Sequence, residues 1–116
     1  MCDYLADFTD LTAILYTHVH GDHYNAEIHT KILEQNPDIS VFTPKDFPES
    51  GEVWEEQEYR VGEVSCIPKY EKHLEIYGEH GQVPLVTLSF DGKVFFSSDT
   101  CAIPDFTPDA LLFPIG

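Results

Sequence analysis

The sequence predicts a mixed α/β fold with a β-rich second half. An apolar run from Leu11 to Tyr16 is followed by a stretch with apolar residues at helical spacing, and then by a second apolar run. This strand–helix–strand order opens α/β folds. From Tyr59 onward the apolar runs are short and strand-like. Two of them, Val83 to Phe90 and Lys93 to Ser97, are joined by Asp91-Gly92, a strong hairpin signal.

Taken in order, Cys2 to Phe8 reads as the end of a helix, with Leu5 and Phe8 on one side. Leu11 to Tyr16 is too short for a helix and suits a buried strand ending at Thr17. Gly21 and Asp22 break it, and Asp22 is the expected N-cap of the next helix. That helix runs from His23 to Gln35, with Tyr24, Ile28, Ile32 and Leu33 on its apolar side, and Asn36-Pro37 ends it. On this pattern His29 falls on the polar, solvated side. Ile39 to Thr43 is the second strand. Pro44 to Gly51 is a loop punctuated by Pro44, Pro48 and Gly51. The acidic stretch Glu52 to Glu58 is expected to be a solvated loop or edge carrying Trp54 partly covered. Tyr59 to Pro68 is strand with a break near Gly62, Gly78 to Gly81 is a turn, and Pro104 and Pro108 mark a loop. Ala110 to Ile115 is the expected last buried strand. The chain opens in apparent mid-helix and stops on a strand. It is therefore expected to be a single partial domain over 1–116, with a homo-oligomer as one way of completing its sheet.

Composition bounds the function. Lys plus Arg is 6 and Asp plus Glu is 21, for a net charge of −15. Such a surface repels phosphate backbones and anionic membranes, so neither a nucleic acid nor a membrane is the expected partner. Apolar residues make up 42%, enough for a packed core. Cys2, Cys66 and Cys101 are odd in number and lack CxxC spacing, which fits a reduced, cytoplasmic protein. The opening residues do not have the charged-then-apolar pattern of an export leader and no apolar run is long enough to span a bilayer, so a soluble protein that is not exported is the expectation.

The informative segment is Thr17-His18-Val19-His20-Gly21-Asp22-His23, which holds three of the six histidines. At this chain's own His and Asp frequencies, HxHxDH arises by chance in about one such chain in a thousand. Alternation along an extended segment puts His18 and His20 on the same side. The bend at Gly21 turns Asp22 and His23 toward a second position nearby. Imidazole and carboxylate together suit zinc, and also manganese or iron. Four such residues in one bend can serve two adjacent metals, a recurring hydrolytic device.

The motif, placed after an apolar strand and before a helix, resembles the signature of the metallo-β-lactamase superfamily. Two downstream segments extend the likeness. Val94-Phe95-Phe96-Ser97-Ser98-Asp99-Thr100 is similar to the strand of that family that ends in a metal-bridging aspartate, and Asp109 to Gly116 to the strand that follows. The short Ser-Asp-Thr and Pro-Ile-Gly segments look most like the ascorbate-6-phosphate lactonase-like branch. The resemblance implies an αββα fold of the α+β sandwich type, here lacking the first strands and the C-terminal portion. It also implies two divalent ions, zinc foremost. His18, His20 and a third histidine would hold the first, Asp22 and His23 the second, and Asp99 would bridge them. The third histidine is His73 or His80, with His73 preferred because it follows the Val64–Pro68 strand. Asp22 would orient the attacking water or take its proton. The implied activity is metal-dependent hydrolysis of a small ester, lactone or phosphoester. The alternative is a non-catalytic metal-binding or assembly module, inactive because ligands are missing. For the remaining residues packing is the expected role: a plain buried thiol for Cys101, core contacts for Tyr70 and Tyr77.

Overall fold

The computed structural model describes residues 11–20, 23–72, 83–100, 102 and 104–112. The expected helix end at Cys2–Phe8, the Gly78–Gly81 turn, Asp22, His73, Tyr77, His80 and Cys101 lie outside these residues.

The strand–helix–strand opening forms as β1 (Ala13–Leu15), α1 (Ala26–Gln35) and β2 (Ser40–Thr43). β1 and β2 pair in parallel, Ala13 opposite Ser40 and Leu15 opposite Phe42, and β3 (Glu52–Val53) adds to β2 in parallel. A parallel pair needs a crossover, and α1 supplies it. The helix starts later than the sequence predicts. Its N-cap is Asn25 in place of Asp22, with Asn25 Oδ1 accepting from Ile28 N at 3.0 Å. Residues 23–25 are thereby left as part of the approach to the helix and not its first turn. At the far end Asn36 is the C-cap, as Asn36-Pro37 predicts, and its backbone N–H bonds Ile32 O.

The second sheet has the order β4 (Tyr59–Val61), β5 (Val64–Glu71), β6 (Leu85–Phe90), β7 (Val94–Phe96) and β8 (Ala110–Leu112). The first four are antiparallel neighbours, and β8 joins β7 in parallel. The break expected near Gly62 is the Gly62-Glu63 turn between paired Val61 and Val64. At the Asp91-Gly92 turn both residues lie in the left-handed region, with φ of 54° and 64°. Strand twist demands this of a tight hairpin, and a glycine enters that region without steric cost. The loop is one residue longer than expected, since Phe90 pairs with Val94 across Asp91, Gly92 and Lys93.

Both sheets feed one core of Phe42, Trp54, Tyr59, Cys66, Val86 and Leu88. Burial pushes the Cys66 thiol up to about 11, so it is an apolar filler and not a nucleophile. Three expectations about burial are overturned. Trp54 is not partly covered but fully enclosed. It stacks on Phe42 at 4.8 Å and donates its indole N–H to Tyr16 O at 2.9 Å. The acidic stretch is exposed on either side of it, at Glu52, Val53 and Glu55 to Glu58, so only the tryptophan turns inward. His29 is buried at 2% exposure, because Tyr16 and Glu49 supply polar partners on the side of α1 that the pattern marks as solvated. β8 forms where predicted but is exposed, with Leu111 and Leu112 about half accessible, because its only strand neighbour among the described residues is β7.

The described residues thus form a sheet-dominated α+β arrangement of two sheets and one helix. The four-layer αββα framing goes beyond them. Among these residues no helix is long and apolar enough to cross a membrane.

Candidate metal centre

The segment that leaves β1 runs directly into the histidines. Thr17 N-terminal to them is tied to the second sheet, since Val86 N donates to Thr17 O at 3.0 Å. His18 is therefore set into the junction of the two sheets and is fully buried. The backbone then turns. His20 O accepts from both His23 N at 2.9 Å and Tyr24 N at 3.0 Å. This turn brings the His23 ring back over His18, with centroids 4.1 Å apart, while the His20 ring stands edge-on to His18 at 5.0 Å.

Asp99 arrives from the other sheet. β7 ends at Phe96, and Ser97 N and Oγ both donate to Leu112 O, so β8 steadies the start of the following turn. Thr100 Oγ1 closes that turn on Ser97 O at 2.8 Å. The single oxygen Asp99 Oδ2 then lies 3.4 Å from His18 Nε2 and 3.1 Å from His23 Nε2. Ligand atoms of His18, His23 and Asp99 all fall within 4.8 Å of one another. His23 and Asp99 are separated by 76 residues in sequence. His18 is closed off from solvent, whereas His23 and Asp99 keep side-chain exposures of 23% and 19%, which leaves one approach open.

Of the sequence-predicted residues, His18, His23 and Asp99 converge, and His20 stands beside the trio but outside it. Asp22 and His73, like His80, lie outside the described residues. Two imidazole nitrogens and a carboxylate oxygen at this spacing form a donor set that suits zinc, manganese or iron.

The fold has a known counterpart. A crystal structure from Parabacteroides distasonis ATCC 8503, named "putative metal-dependent hydrolase", is similar over 78% of this chain and 45% of that one, with a TM-score of 0.57 and 19% identity. At that identity the likeness is one of fold, and this chain spans less than half of the other's length. No family model and no curated protein matches the sequence.

Two hydroxyls orient the buried imidazole. Thr17 Oγ1 is 3.0 Å from His18 Nδ1, and Ser98 Oγ donates to Thr17 Oγ1 at 3.0 Å while lying 3.4 Å from the same nitrogen. The two hydroxyls together hold Nδ1, which leaves the Nε2 edge of the ring turned toward Asp99. Ser98 holds a left-handed φ of 53°, unusual for a residue with a Cβ. That conformation aims its hydroxyl back at Thr17 while Asp99, the next residue, faces the histidines. The signal for hydroxyls was present as the Thr before the motif and the Ser before Asp99, but their pairing across two sheets has no sequence signature. Thr17→Val keeps shape and removes the hydroxyl, leaving the buried Nδ1 of His18 poorly matched. It is expected to lower stability in urea unfolding by about 1–3 kcal/mol, and an unchanged midpoint would count against the hydroxyl relay.

Proposed function

We propose that this chain is the metal-binding part of a metal-dependent hydrolase acting on a small ester, lactone or phosphoester. The convergence of ligand atoms of His18, His23 and Asp99 within 4.8 Å of one another carries the reading. The HxHxDH motif and the likeness in fold to a protein named as a metal-dependent hydrolase add support. In this reading His18 and His20, with His73 as third histidine, hold one divalent ion, Asp22 and His23 hold a second, and Asp99 serves both. Zinc is the proposed metal. When bound, such a pair lowers the pKa of water toward neutrality and stabilises an oxyanion.

The chain's own residues do the rest. Thr17 and Ser98 hold Nδ1 of His18, so that Nε2 is the edge presented to the site. The buried side of His18 excludes water from behind the site, and the exposed sides of His23 and Asp99 define where a substrate enters. The carboxylate of Asp22 is assigned to orient the attacking water and receive its proton. With 6 basic residues against 21 acidic ones, the surface offers little to hold a polyanion, which favours a small substrate over a nucleic acid.

Metal analysis and turnover test this together. Two equivalents of zinc per chain with hydrolysis of a chromogenic ester or phosphodiester is the expected result. Stable metal without turnover would replace the enzyme by a metal-binding module, and no bound metal would overturn both.

A further inference from the structure

Tyr16 and Tyr24 bracket the histidine motif, and their side chains are joined by a closed set of contacts that the proposed hydrolysis does not use. Tyr16 OH lies 2.7 Å from His29 Nδ1 on α1. The opposite nitrogen, His29 Nε2, lies 3.4 Å from Glu49 Oε2, and the other oxygen of that carboxylate accepts from Tyr24 OH. The two phenol rings meet edge to face at 5.5 Å, and Phe47 packs on both, at 4.7 and 4.9 Å. Three segments distant in sequence, the end of β1, the helix and the 44–51 loop, thus meet at the two ends of the motif.

A Glu49 carboxylate draws the Nε2–H of His29, which leaves Nδ1 to accept from Tyr16. A phenol keeps its proton at neutral pH, so Tyr24 OH donates to Glu49 Oε1 and Tyr16 OH can donate to His29 Nδ1. Each link in the chain is then satisfied in one direction only. A purely apolar filling would pack these segments as tightly, but it would not fix the separation of residues 16 and 24, because dispersion is not directional.

We propose that Tyr16, His29, Glu49 and Tyr24 form a clamp that holds the ends of the 17–23 loop at the separation its metal-binding shape requires. The inference rests on the metal reading of the His18, His23 and Asp99 site. These four are positioning residues and touch neither metal nor substrate.

Zinc and cobalt are the probes, titrated into the full chain. Tyr16→Phe and Glu49→Gln each remove one link and preserve volume. Each is expected to weaken zinc binding by about 10-fold and to shift the visible absorption of the cobalt-loaded chain, both read at a temperature where the metal-free variant is still folded, because Tyr16→Phe also leaves the buried His29 Nδ1 poorly matched. The double variant is expected to bind zinc no worse than about the weaker single, because a broken chain has little left to lose. Variants that bind zinc as the wild type does, with an unaltered cobalt spectrum, would overturn the clamp even if they were less stable. A wild-type chain that binds neither metal would overturn the metal reading, and the clamp with it.

Discussion

His18→Ala is expected to abolish metal binding at the first site and to destabilise the metal-free fold as well. The ring is fully buried at the junction of the two sheets, so its removal leaves a cavity and strips Thr17 Oγ1 of its imidazole partner. The fold cost falls in the range of about 2–5 kcal/mol for emptying a large core position. The metal cost exceeds the roughly 10–100-fold typical of changes to groups behind a ligand, since here the ligand itself is lost. His20→Ala separates the two effects. His20 is half-buried and stands beside His18 at 5.0 Å. Its loss is expected to remove metal with little change in stability. Zinc content after dialysis, read by mass spectrometry, and urea midpoints check the pair. Unchanged zinc in both variants would refute the assignment of the first site.

Asp99→Asn is expected to weaken both metals together. The same oxygen, Asp99 Oδ2, faces His18 and His23, so one atom is shared by the two halves of the motif. An amide keeps the size and the capacity to accept a hydrogen bond but loses the negative charge that two cations would share. The expected outcome is a parallel fall in both steps of a zinc titration, with the metal-free chain remaining folded. Loss confined to one step would contradict a bridging role for Asp99.

Much of the scaffold that carries these residues is legible in the sequence, and the reasons are local. Leu11 to Tyr16, the helical spacing around Ile28 and Ile32, Asn36-Pro37 and Asp91-Gly92 each act through backbone preference within a few residues, and the corresponding elements form. Asp99 was singled out only through the resemblance of Val94 to Thr100 to a known metal-bridging strand, since 76 residues separate it from His23 and leave no local signal. What escaped is decided by partners far away in sequence. His29 reads as solvated on helical periodicity alone, and only Tyr16 and Glu49 explain how it can be buried. Trp54 sits in an acidic run that reads as solvated, and its burial depends on Phe42, Tyr59 and the Tyr16 carbonyl. Asn25 takes the cap from Asp22 because the His20–His23 turn postpones the helix, and that turn comes from backbone hydrogen bonds no side-chain pattern records. Leu111 and Leu112 are apolar enough to predict burial, yet a strand at the edge of a sheet is buried only by what lies against it.

The most direct test is a crystal structure of the zinc-loaded chain with diffraction measured on both sides of the zinc absorption edge. The expected result is two anomalous peaks about 3.5–4 Å apart, one beside His18 and His20 and the other beside His23, with Asp99 between them. Peaks elsewhere on the surface, with the Nε2 atoms of His18 and His23 still turned to Asp99 and no metal between them, would contradict it.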